Sequence, residues 1–82
     1  MLFAISKNYG KDSIIVSEGV YRNREDAKKR CWELANEAKT LIAKAYKISE
    51  DEVHVAEDWT GIIWIKWQTY SNMFEVVELE ER

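Results

Sequence analysis

"IIWIKWQTYSNMFEVVELE", residues 62–80, reads as two strands and the turn between them. Ile62 to Tyr70 is dense in β-branched and aromatic residues, the types that fit a pleated surface. Ser71 and Asn72 have the length of a two-residue hairpin loop, and "MFEVVELE" continues as the returning strand. With that loop Tyr70 stands opposite Met73, and the register follows in steps of two. One face then holds Ile63, Ile65, Trp67 and Thr69 with Phe74 and Val76, and it is expected to be core. The other holds Ile62, Trp64, Lys66, Gln68 and Tyr70 with Met73, Glu75, Val77 and Leu79. That second face carries too much hydrocarbon for plain exposure to water.

Working outward from this pair, "VHVAE" (53–57) alternates and is read as a strand, and "DWTG" (58–61) as a tight turn closed by glycine. "ISEDE" (48–52) is an acidic break. Upstream, "REDAKKRCWELANEAKTLIAKAYK" (24–47) changes period. Ala27, Cys31, Leu34, Ala35, Ala38, Leu41, Ile42 and Ala45 fall within an arc of about 120° at helical spacing. Asn23 supplies an N-cap, with Asp26 near the positive helix end. Lys44 and Lys47 suit the negative end. "LFAIS" (2–6) and "SIIVSEG" (13–19) read as two further strands around a polar loop, "KNYGKD" (7–12), containing Gly10. The expected fold is α+β, ordered β-β-α-β-β-β. It comprises a single domain over residues 1–82, with a largely antiparallel five-stranded sheet and one long helix on one face.

The chain has 82 residues, ten aromatics among them, one cysteine and no proline. That length suits one domain burying roughly 60–65% of its unfolded surface. A lone Cys31 allows no internal disulfide and points to a reducing cytoplasm. "MLFAI" is too short and lacks the basic start expected of a signal peptide. No stretch approaches the ~18 apolar residues of a membrane span. Net charge is −3, unevenly spread. Residues 1–47 hold ten Lys/Arg and six Asp/Glu, whereas residues 48–82 hold two and nine. A chain so polarised can steer a charged partner toward one side.

Chemistry-bearing patterns are sparse. Cys31 lies in the apolar stripe and is expected to act as a small hydrophobe. His54 is the only histidine, a poor basis for a zinc or acid–base site. No phosphate loop, nucleophile elbow or His–Glu helix motif is present in the sequence. No catalytic residue, metal or cofactor is therefore assigned, and the chain is not expected to be an enzyme. The two-sided strand suggests instead a protein-binding face of Trp64, Tyr70, Met73 and Leu79, with Lys66 and Glu75 at its rim. Its occupant would be another protein or a second copy of the chain. An alternative contact, with nucleic acid, uses Arg24, Lys28 and Lys39 for phosphate and Trp32 for stacking. Trp32 lies about 125° from the centre of the apolar stripe, on the helix flank. Glu25, Asp26, Glu33 and Glu37 interleave with these cations, which favours an ordinary salt-bridged helix face. The acids at 50–52, 57–58, 75, 78 and 80–81 either solubilise and protect strand edges or meet a basic partner.

"SIIVSEGVYRNREDAKKRCWELA" and the closing "FEVVELEE" resemble a layout common to small bacterial and phage proteins, two strands leading through a Gly-Val-aromatic step into a capped helix. The resemblance covers about 30 residues and its pattern is generic. Many proteins of this kind have no known role, and some small phage proteins of this size inhibit host defence, the anti-CRISPR proteins among them. The resemblance implies a phage or prophage origin and, most concretely, inhibition of a host nucleic-acid-handling protein. It carries no functional residue over, and the aromatic strand 62–70 is not part of the shared pattern.

Overall fold

The computed structural model describes residues 2–9, 12–15, 19–68 and 70–79, and for residues 9, 12–15 and 70 the backbone alone. The chain is α+β. Strands β1 (Leu2–Tyr9) and β2 (Asp12–Ile15) precede helix α1 (Arg24–Tyr46). A 3-10 turn (Glu50–Glu52) then leads to β3 (His54–Glu57), β4 (Ile63–Trp67) and β5 (Tyr70–Leu79). The sheet order is β2-β1-β5-β4-β3, and every pairing is antiparallel.

The helix starts where the capping chemistry predicts. Asn23 is extended, and its Oδ1 accepts the Asp26 N–H at 2.9 Å. The helix ends at Lys47, whose φ of 55° is left-handed and whose N–H turns back to the Ala43 and Lys44 carbonyls. Just upstream, Phe3 and Tyr21 exchange two backbone hydrogen bonds of 2.8 Å, which fastens the approach to the helix against β1.

The core lies between α1 and one sheet face. Ala27, Cys31, Ala35 and Ile42 meet Phe3, Ile5, Val53, Ile63, Ile65, Phe74 and Val76. Small residues on the helix let it approach the sheet closely, so Ile63 and Ile65 are completely buried. Leu34 and Ala38 are half-buried at the margin. The expected stripe is corrected at its far end, where Leu41 and Ala45 are exposed and Ala43 is buried instead. The sheet twists beneath the helix, so the contact line moves round the helix towards Ala43 by the last turns.

The hairpin between the last two strands departs most from the sequence reading. Its strands close between Trp67 and Tyr70, which pair with each other, and not at Ser71-Asn72. Ser71 and Asn72 are strand residues, opposite Lys66 and Ile65. Asn72 is buried, its Oδ1 accepting the Met73 N–H at 2.9 Å. Gln68 accordingly takes a left-handed φ of 50°, the sign that tight hairpin turns require. The register also puts Trp67 against Tyr46 of the helix, with ring centroids 4.4 Å apart. The first hairpin likewise runs further than expected, since Lys7, Asn8 and Tyr9 pair with Ile14, Ser13 and Asp12. The expected loop residue Gly10, the strand extension 16–18, the core position Thr69 and the acids at 80–81 lie outside the described residues.

Candidate functional site

The turn displacement has a specific effect on the uncovered sheet face. The partner of Trp64 becomes Met73 in place of Leu79, a slip of an even number of residues. Side chains alternate with period two, so an even slip changes neighbours but not faces. Trp64 and Lys66 therefore still share a face with Met73, Glu75, Val77 and Leu79, away from the helix. Tyr70 does not keep its expected place. It belongs to β5 and pairs with Trp67, a residue of the helix-facing row, so its assignment to the Trp64 face is corrected. Leu79 pairs with Leu2 of β1. It lies about 20 Å along β5 from Met73 at the usual strand rise, so it does not join Trp64 in one contact. Ile62 precedes β4 and is half-buried.

Trp64, Lys66 and Met73 do come together. The Trp64 indole N–H donates to Asp58 Oδ2 at 2.7 Å, and Lys66 Nζ sits 5.0 Å from the Trp64 ring centroid. Across β3, Ala56 pairs with Trp64 and His54 with Lys66. Together with Glu57 and Asp58 these residues line a shallow depression of about 390 Å³. Glu75 follows two residues after Met73 on the same face, opposite Ser6.

Asp58 organises the edge of this depression. Its Oδ1 accepts the Thr60 N–H at 2.8 Å, the Ile62 N–H at 3.2 Å and the Thr60 hydroxyl, while Oδ2 holds Trp64. Bonds to the Thr60 hydroxyl and then to Trp64 favour the ionised carboxylate and lower its pKa to about 2. The Gly61 N–H returns to the Asp58 carbonyl at 3.0 Å, and Gly61 has a φ of 88°. The arrangement is a type I turn followed by a left-handed glycine, as "DWTG" invites. Lys28 of the helix braces it by donating to the Gly61 carbonyl. Trp59, at the turn's second position, is 96% exposed. Trp59 has no periodic signature in the sequence, because it is a turn residue. The available signal was that a type I turn does not require an aromatic there.

A second cluster gathers part of the alternative site. Arg24, Glu25, Lys28, Lys29 and Trp32 line a depression of about 430 Å³. Trp32 folds over the helix flank and donates to Glu57 Oε1 at 3.3 Å, and Lys28 approaches the same carboxylate at 3.6 Å. Arg24 reaches Glu78 at 3.5 Å and lies 5.5 Å from the Phe3 ring centroid. Lys39 is not part of this group. It lies two turns beyond Trp32, about 10 Å along the helix. Arg30 approaches Glu33 at 3.9 Å and Glu37 at 3.5 Å, the ion-paired face that the interleaved charges suggest.

Cys31 is buried in the core, where desolvation raises its pKa to about 11. His54 is exposed on β3. Among the described residues no group of three or more His, Cys, Asp or Glu is placed to hold a metal ion, and no helix is long and apolar enough to cross a membrane. The acids do not form one strip, because β4 separates β3 from β5. No protein-family model, curated protein or solved structure matches the chain.

Proposed function

We propose that this protein is a non-enzymatic, cytoplasmic binding module for another protein, with its contact on the uncovered sheet face around Trp64. The supporting observation is the joint placement of Trp64, Lys66 and Met73 beside an open depression, with the indole fixed by Asp58. A pre-oriented aromatic surrounded by polar groups is the composition of an interface hot spot. Glu75 and Lys66 supply rim charge, which tunes approach and selectivity more than affinity. In its most concrete form the protein is phage-encoded and occludes a host nucleic-acid-handling protein. The test is affinity capture from nuclease-treated host lysate, comparing the wild type with a folded Trp64→Gln variant, alongside the solution mass of each. A partner held by the wild type and lost by the variant carries the reading. Identical capture and identical mass for both would end it, and a wild-type dimer made monomeric by the variant would make the partner a second copy.

The depression at Arg24, Lys28, Lys29 and Trp32 favours a second reading, single-stranded nucleic acid stacked on Trp32 with phosphates on the cations. That reading expects retention on single-stranded DNA or RNA that falls steeply with salt. No retention at low salt removes it.

A further inference from the structure

We infer that the β3 edge, with Trp59 at its end, accepts an extended, basic segment of a partner protein as an added strand. This inference rests on the proposed protein-binding role and names the kind of partner and its mode of docking.

The open hydrogen-bonding row follows from the hairpin. The Asp58 N–H donates to the Ile62 carbonyl at 2.9 Å, which makes Asp58–Ile62 a hydrogen-bonded pair. Antiparallel pairs alternate between bonded and non-bonded, so Ala56–Trp64 and His54–Lys66 are bonded pairs in the register of β3 against β4. The N–H and C=O groups of Val55 and Glu57 therefore point away from β4. β3 is the last strand of the sheet on this side. Three of its four residues, His54, Ala56 and Glu57, are exposed, and Val55 is half-buried. An extended chain laid there would bond to Val55 and Glu57 in the manner of β-augmentation.

Trp59 is an independent indication of a partner. It is almost fully exposed on a turn held by four hydrogen bonds to the Asp58 carboxylate and a brace from Lys28. The turn position accepts most residues, so the fold does not demand an indole there. The turn fixes the Trp59 backbone, and burial of so exposed an indole offers the large apolar gain of an anchor residue. A strand running along β3 and past Glu57 arrives at Trp59.

Charge selects the occupant. Between residues 48 and 68 the chain carries five carboxylates and one lysine. They bracket the edge, with Glu50, Asp51 and Glu52 before β3 and Glu57 and Asp58 at its end. Lys28 offsets only Glu57. Antiparallel pairing of two copies through β3 would set Glu57 and Asp58 of one against Glu50–Glu52 of the other, and like charges so placed repel. A lysine- or arginine-rich strand meets complementary charge at both ends.

The test uses the whole protein and three probes: a short peptide of alternating lysine and valine, its glutamate counterpart, and the lysine peptide N-methylated on alternate amides. Binding is read by titration calorimetry and by amide hydrogen exchange. The expected result is salt-sensitive binding of the lysine peptide alone, slowed exchange at Val55 and Glu57, and at least a tenfold loss of affinity in Trp59→Ser. Trp59 is exposed, so that variant keeps the fold, which its melting curve would verify. The inference is overturned if the lysine peptide fails to bind, if the methylated peptide binds as well as the parent, or if Val55 and Glu57 exchange unchanged. It is also overturned by a dimer formed through β3. Peptide binding that moves Trp64 and Met73 signals while leaving Val55 and Glu57 unchanged would refute edge docking and keep the sheet-face reading. Edge binding unaffected by Trp64→Gln would do the reverse.

Discussion

Asp58 and Cys31 are individual groups whose surroundings set testable behaviour. The Asp58 carboxylate is more acidic in the fold than in the unfolded chain, because Thr60, Trp64 and the Ile62 N–H all bond its charged form. A carboxyl with a depressed folded pKa contributes its stability above the unfolded value of 3.8, and loses it as pH falls towards about 2. Trp64 emission should therefore change between about pH 4 and pH 2, and Asp58→Asn should abolish that transition without unfolding the sheet. Cys31 has the opposite sign. Burial raises its thiol from 9.0 to about 11, so the unfolded chain ionises first and stability declines as pH rises between those values. Denaturation midpoints measured across that window should fall for the wild type and fall less for Cys31→Ala. The thiol should also resist thiol-reactive dyes at neutral pH until the protein is unfolded, since the thiolate is the reactive species.

At the scale of elements, the helix and the Asp58–Gly61 turn show how local chemistry sets boundaries. Lys47 closes the helix in a left-handed conformation that glycine adopts without steric cost. Lys47→Gly should stabilise the protein by up to about 1 kcal/mol in urea titration. Gly61 is the reverse case. Its φ of 88° disfavours any side chain, and a Cβ there would meet Lys28 Nζ at 3.1 Å. Gly61→Ala should cost about 1–2 kcal/mol and loosen Trp64 fluorescence. The β4–β5 hairpin teaches a different lesson. Ser71-Asn72 has good turn chemistry, yet the strands close between Trp67 and Tyr70, because that register packs Trp67 against Tyr46 and buries Asn72 beside Ile65. Turn propensities span less free energy than burial of aromatic and aliphatic surface, so packing overrides them.

At the scale of the whole molecule, one helix covers one face of the sheet, and on the other face, among the described residues, Ala4 and Ser6 are buried while Trp64, Lys66 and Met73 stay exposed or half-buried. The shared core behind Ile63 and Ile65 should make the fold cooperative. Ile65→Ala is expected to cost about 2–5 kcal/mol, with helical and sheet signals lost together in one thermal transition. A variant that loses the sheet signal while keeping the helix would show that the two layers are separate units. The strand order also separates the acids by role. Those around β3 line an exposed edge, Glu75 stands on the uncovered face, and Glu78 reaches back to Arg24.

The sequence by itself determined the α+β class, the extent and cap of the helix, the turn at Gly61 and the division of residues 73–79 between two faces. These depend on periodicity, capping and turn chemistry, which act over a few residues. Side-chain parity even survived a wrong turn position, because the slip was even. Tertiary structure alone decided the hairpin register, the removal of Tyr70 and Leu79 from the Trp64 cluster, and the edge position of β3. It also decided the convergence of Lys28, Trp32 and Glu57, and the exposure of Trp59. Each of these depends on contacts between segments far apart in the chain, and no local pattern encodes which strand lies beside which.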